Sequence, residues 1–158
     1  MLYLSVVKVT LKSEEETKEF GRQLGRLLKG GQVIELVGDI GAGKTTFTKG
    51  IASGMDIEET VQSPTFTISR VYDAPNGLRL SHYDFYRLSD AGIMADELHE
   101  SASDDTSVVI IEWGDIVRSI LPEDYLAIMF SATGDDVREL DISAHGKKST
   151  ALLEALEA

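Results

Sequence analysis

The chain has no cysteine among its 158 residues, which excludes a disulfide framework, a thiol nucleophile and any thiolate-held metal. It has a single asparagine, Asn76, a single tryptophan, Trp113, and three prolines. Because the asparagine lies in the turn "PNG", the N-K-x-D guanine reader of a GTPase switch cannot be built. No segment approaches the roughly 18 apolar residues of a membrane span. The opening "MLYLSVVKVTLK" is broken by Lys8 and by alternating polar residues, and it lacks the basic start and continuous apolar run of a signal peptide. A cytoplasmic protein without membrane contact is the expectation. Repeats, low-complexity tracts and long linkers are also missing, so residues 1–158 are expected to form a single domain.

Basic side chains are scarce in one half only. Residues 1–87 hold 11 basic and 11 acidic side chains, whereas residues 88–158 hold 4 and 16, which places the whole net charge of −12 in the second half. Such a surface repels phosphate backbones at long range. Direct high-affinity binding of nucleic acid by this chain alone is therefore not expected. The acidic half is either a solvated surface or a patch for a basic partner.

What is present has a clear order. Residues 2–11 suit a strand, and "SEEETKEFGRQLGRLLKGG" a helix. That helix opens with the capping-box spacing of Ser13 and Glu16, places Phe20, Leu24, Leu27 and Leu28 on one face, and stops at Gly30 and Gly31. "VIELV" is apolar on both faces, as a buried central strand should be. "ISRVYDAP" and "LRLSHYDFYRL" flank Pro75-Asn76-Gly77 and predict a hairpin. Residues 90–102 are weakly helical and "SVVIIEW" is another buried strand. "DIVRSIL" is a short helix, "DYLAIMFSAT" and "VRELDISAHG" are paired antiparallel strands, and "STALLEALEA" closes as a helix. The pattern predicts an α/β fold, a P-loop NTPase-type mixed β-sheet covered by helices on both faces.

Between "VIELV" and the next helix stands "GDIGAGKTTF", residues 38–47. Gly38, Gly43, Lys44 and Thr45 satisfy G-x-x-x-x-G-K-[ST], with the strand before and the helix after that this pattern requires. Glycines let the backbone of Asp39, Ile40, Gly41, Ala42 and Gly43 curl so that successive N–H groups face an anion. The helix start at Lys44, Thr45 and Thr46 adds the positive end of its dipole. Lys44 can reach the terminal phosphates of ATP, and the Thr45 hydroxyl is placed for Mg²⁺.

Such a cradle needs an acid for its metal. Glu112 ends the apolar run "VVIIE" at a strand tip, where open α/β sheets bind ligands; otherwise it merely begins a loop. Beside it, Trp113 either joins the core or stacks on a base. In "LSHYDFYR", strand alternation puts His82, Asp84 and Tyr86 on one face and Tyr83 and Phe85 on the other. An aspartate is disfavoured within a strand, so Asp84 is a hydrogen-bonded structural acid, a second metal ligand or a base that orients water. Arg87 can neutralise phosphate or pair with a nearby acid, and His82 alone decides little. In "SPTFT", Pro64 holds Ser63 extended; Thr65 then belongs to a plain loop-to-strand junction or to a switch loop that brings a hydroxyl to the γ-phosphate.

Together, "GDIGAGKTTF", "SPTFT", "HYDFYR" and "IEWGD", in this order and with the "SEEET" helix start, resemble the TsaE (YjeE) family of small bacterial ATPases over roughly residues 10–120. The family's H-x-D-x-Y-R pattern falls on His82, Asp84, Tyr86 and Arg87, and its E-W pair on Glu112 and Trp113. The resemblance implies a part in forming N6-threonylcarbamoyladenosine at position 37 of tRNAs that read ANN codons. In that role the ATPase supports a TsaD–TsaB protein pair rather than performing the transfer. It further implies that Lys44 grips phosphates, Thr45 and Glu112 hold Mg²⁺, Trp113 borders adenine, and Asp84 assists hydrolysis. Two other classes use the same cradle: a small-molecule kinase, for which Arg118 and Arg138 are the only arginines after residue 88, and an ATP-gated binding module without significant hydrolysis.

Overall fold

The computed structural model describes residues 4–39, 41–61, 69–85, 92–112 and 121–157. In chain order the elements are β1 (Leu4–Leu11), α1 (Glu14–Leu27), β2 (Val33–Val37), α2 (Lys44–Gly54), β3 (Ser69–Asp73) and β4 (Arg79–Asp84). After these come α3 (Gly92–Ala102), β5 (Ser107–Glu112), β6 (Tyr125–Ala132), β7 (Arg138–His145) and α4 (Lys147–Glu157). One seven-stranded sheet takes the order β1-β7-β6-β2-β5-β4-β3. The four strands β6, β2, β5 and β4 run parallel, while β3, β7 and β1 pair antiparallel with their neighbours. The sheet is mixed, as the alternation of apolar runs predicts.

The parallel centre explains why β2 and β5 are apolar on both faces. Ile34, Leu36, Val108 and Ile110 join the larger core with Leu24, Ile51 and Leu152 from α1, α2 and α4. Val33, Val109 and Ile111 meet Tyr83, Phe85 and Leu98 of α3 in a smaller cluster on the other face. Strand alternation had separated Tyr83 and Phe85 from His82 in this way. Tyr83 reaches α3 through a 2.8 Å hydrogen bond with Ser101, and burial pushes its phenol pKa up.

Three boundaries differ from expectation. Ser13 does cap α1, accepting from the Glu16 amide at 3.1 Å, but the Glu16 carboxylate accepts from Lys12 N–H, one residue outside the usual box. The helix ends at Leu27, with Leu28 extended as its C-cap, before the glycines are reached; burial of Leu28 in the core takes precedence over the glycine stop. The β3–β4 turn is wider than a two-residue Asn-Gly turn: Ala74 N–H donates to Leu78 O, and Asn76 Oδ1 accepts from Leu78 N–H. The short helix expected in "DIVRSIL" lies almost wholly outside the described residues.

Helices α1 and α2 touch backbone to backbone. A Cβ added at Gly21 or Gly25 would overlap the carbonyls of Phe47 or Ile51, and one at Gly50 or Gly54 those of Lys18 or Arg22. Each helix thus offers glycines four residues apart, one turn along the same face. This contact holds α2, and with it the turn at its N-terminus, against the sheet.

Candidate functional site

The C-terminal tips of β2, β5 and β4 lie side by side at one edge of the sheet, because these strands are parallel and in register. Leu36 pairs with Glu112, and Asp84 with Glu112. The glycine turn leaves β2 at this edge. Gly41 and Gly43 take left-handed φ values of 83° and 104°, which side-chained residues rarely adopt. Among the described residues, chain neighbours aside, no atom lies within 4 Å of where a Gly41 Cβ would stand. Ala42 N–H closes the turn onto Asp39 O at 3.1 Å.

Gly43 is the N-cap of α2 and has no side chain with which to cap the first-turn amides. Serine, threonine, asparagine or aspartate in that position would occupy them. Glycine brings no such competitor, and a helix start with the positive end of its dipole favours an anion.

Lys44 is drawn back beneath the turn. Its ammonium donates to Gly38 O at 2.8 Å and lies 3.7 Å from Glu112 Oε1, with both side chains buried. The second carboxylate oxygen, Oε2, is 2.6 Å from His82 Nε2. His82 is fully buried, and its Nδ1 meets no hydrogen-bond partner among the described residues. Asp84 is half-buried beside Glu112, whose backbone carbonyl accepts from Phe85 N–H at 3.1 Å. Thr45 and Thr46 are half-buried in the first turn of α2, and Asp39 is exposed. The structure therefore brings Lys44 and Glu112 together and sets Asp84 next to them. Ile40, Thr65 and Trp113 lie outside the described residues, as do Ser63, Pro64, Tyr86 and Arg87.

The groups able to hold a cation are the Glu112 carboxylate, with Asp84 in register beside it, and the hydroxyl of Thr45 in the first turn of α2. Among the described residues no group of three or more acidic or histidine side chains forms a protein-only cage. Mg²⁺ usually takes only one or two protein carboxylates and completes its sphere with phosphate and water. The donor set fits that ion in company with a polyphosphate.

Arg138 is the neighbour that spacing did not reveal. Strand β6 runs parallel to β2, so the turn after it returns to the same sheet edge, and β7 starts there with Arg138. Its Nη2 donates to Gly41 O at 3.3 Å, and Nη1 donates to Val137 O at 3.0 Å. A Cβ on Gly43 would stand 3.7 Å from Arg138 Nε, a buried atom with no hydrogen-bond partner among the described residues. In the sequence Arg138 was visible only as one of two late arginines. Its place beside the glycine turn depends on strand order.

Residues 11–140 match the family model described as "Threonylcarbamoyl adenosine biosynthesis protein TsaE". A Bacillus subtilis protein named tRNA threonylcarbamoyladenosine biosynthesis protein TsaE is 40% identical over 144 residues, covering 90% of this chain and 88% of the relative. Its namesake from Streptomyces coelicolor is 37% identical, covering 83% of this chain and 92% of that one. The crystal structure of Bacillus subtilis YdiB superposes with a TM-score of 0.81 at 33% identity, over 98% of this chain and 96% of that one. With a glycine turn, a buried lysine–glutamate pair and an aspartate in register beside it, and with these likenesses spanning most of its length, the chain belongs to the TsaE family.

Proposed function

We propose that the chain binds Mg-ATP at the glycine turn, hydrolyses it weakly alone, and couples this cycle to tRNA threonylcarbamoyladenosine biosynthesis with a TsaD–TsaB pair. The pathway rests on family membership. The nucleotide chemistry rests on one observation, the Lys44 ammonium held between Gly38 O and Glu112 at a helix start whose N-cap, Gly43, has no side chain.

In the reaction, the first-turn amides of α2 orient the phosphates. Lys44 exchanges its carboxylate partner for phosphate oxygens, a charge contact worth about 4 kcal/mol at ~4 Å and an effective dielectric of ~20. Thr45 and Glu112 hold Mg²⁺, which when bound neutralises charge on the phosphate oxygens. Asp84, adjacent to Glu112, orients or deprotonates the attacking water. Thr65 supplies a switch-loop hydroxyl and Trp113 borders the adenine. Arg138 is tied to Gly41 O and Val137 O, which favours a fixed strut over the mobile arginine lid that a small-molecule kinase uses.

The test is isothermal calorimetry of Mg-ATP on the wild type and on Lys44→Ala, with melting curves to verify folding. A loss of at least about 100-fold in affinity, as two lost charge-assisted contacts predict, is expected of a folded variant. Equal affinities would remove the nucleotide reading. Reconstitution with TsaD, TsaB, substrate tRNA, ATP and an activated threonylcarbamoyl donor tests the pathway, since the modified adenosine should accumulate over many turnovers only when the wild-type chain is present.

A further inference from the structure

We infer that His82 is a positioning residue for the metal-binding carboxylate: it holds Glu112 Oε2 so that Oε1 is presented to the cradle. The inference rests on the Mg-nucleotide reading above and adds a role to a side chain that alternation alone left undecided.

The geometry carries it. An ionised carboxylate only accepts hydrogen bonds, so the 2.6 Å contact is an Nε2–H donated to Oε2. The other oxygen, Oε1, is the one that faces Lys44, at 3.7 Å. The two oxygens of Glu112 are thereby divided between an inner anchor and the ligand side. His82 pairs in register with Ile110, and Asp84 with Glu112. The imidazole therefore starts one strand step behind the carboxylate and reaches forward to it along the same sheet face. The imidazole is fully buried, so packing restricts its rotation.

A carboxylate at a strand tip otherwise has free rotation about its terminal bond and lets either oxygen, or neither, meet the ion. Outer partners of this kind set the orientation of metal ligands, and their loss typically costs about 10–100-fold in metal affinity.

Two variants of the full chain test the role. His82→Gln can return an N–H to the position of Nε2, whereas His82→Leu fills the space without a donor. ATP binding is followed by calorimetry in EDTA and then across a MgCl₂ titration. His82→Leu is expected to leave metal-free ATP affinity within about twofold of wild type and to raise the Mg²⁺ midpoint about tenfold or more. His82→Gln should bring that midpoint back to within a few-fold of wild type. If leucine prevents folding, His82→Asn, too short to reach Glu112, takes its place. An unchanged Mg²⁺ midpoint in the donor-less variant overturns the inference. So does an equal loss of metal-free and metal-bound affinity in both variants, which marks a packing role. Failure of the wild type itself to bind ATP would instead overturn the functional reading.

Discussion

Arg138 acts at the smallest scale, through one guanidinium shared between two turns. It ties the carbonyl of Gly41 to the β6–β7 turn, where Nη1 also reaches Gly134 O and Asp135 O, each at 3.3 Å. A hydrogen bond from a charged donor contributes roughly 1.5–3 kcal/mol. Arg138→Gln is expected to weaken ATP binding about tenfold, and Arg138→Lys, which keeps the charge but not the planar fork, to recover only part of that. Calorimetry on the three proteins decides, and equal affinities would leave the arginine a strut of the turn alone. The neighbouring side chains differ in how readily the chain betrays them. Lys44 and Glu112 were legible because a glycine-rich turn needs that lysine at that spacing and a strand tip is where its acid belongs. His82 and Arg138 were not, since their meaning depends on which atom they touch.

At the scale of elements, the α1–α2 contact decides how firmly the cradle is held. The glycines at 21, 25, 50 and 54 stand where side chains would strike the opposing backbone. In an exposed helix Gly→Ala stabilises, by about 0.4–1 kcal/mol when the conformation allows it. Here Gly50→Ala is expected to destabilise by about 1–3 kcal/mol, because Lys18 O cannot yield without moving α1. Urea unfolding checks the sign, and a stabilised variant would mean that the two helices are free to part. The helices themselves were readable from periodicity and from the Ser13 cap. Their closeness was not, since "GRQLG" and "GIASG" look like weak points until the two segments are laid against each other.

The whole molecule carries its charge unevenly, with 16 acidic and 4 basic side chains in residues 88–158. Exposed charges act over a Debye length of about 10 Å at 0.1 M salt. If the acidic half meets a basic face of the proposed TsaD–TsaB pair, association should weaken several-fold between 0.1 and 0.5 M NaCl, mainly through a slower on-rate. Surface plasmon resonance against immobilised TsaD–TsaB, in the presence of ATP, measures this. A salt-independent rate would assign the acids to a solvated surface. No helix among the described residues is long and apolar enough to cross a membrane, in line with the absence of any long apolar run.

The order of apolar runs, the glycine turn and the acid at a strand tip were determined by the chain itself, since each follows from local backbone chemistry or from a fixed spacing along one element. Tertiary structure alone decided that β6 lies beside β2, that Arg138 therefore returns to the glycine turn, and that His82 grips one oxygen of Glu112 while Lys44 faces the other. The reason is physical: a periodic pattern says which face a residue occupies, but only the packing of strands distant in sequence sets which atoms come within hydrogen-bonding reach.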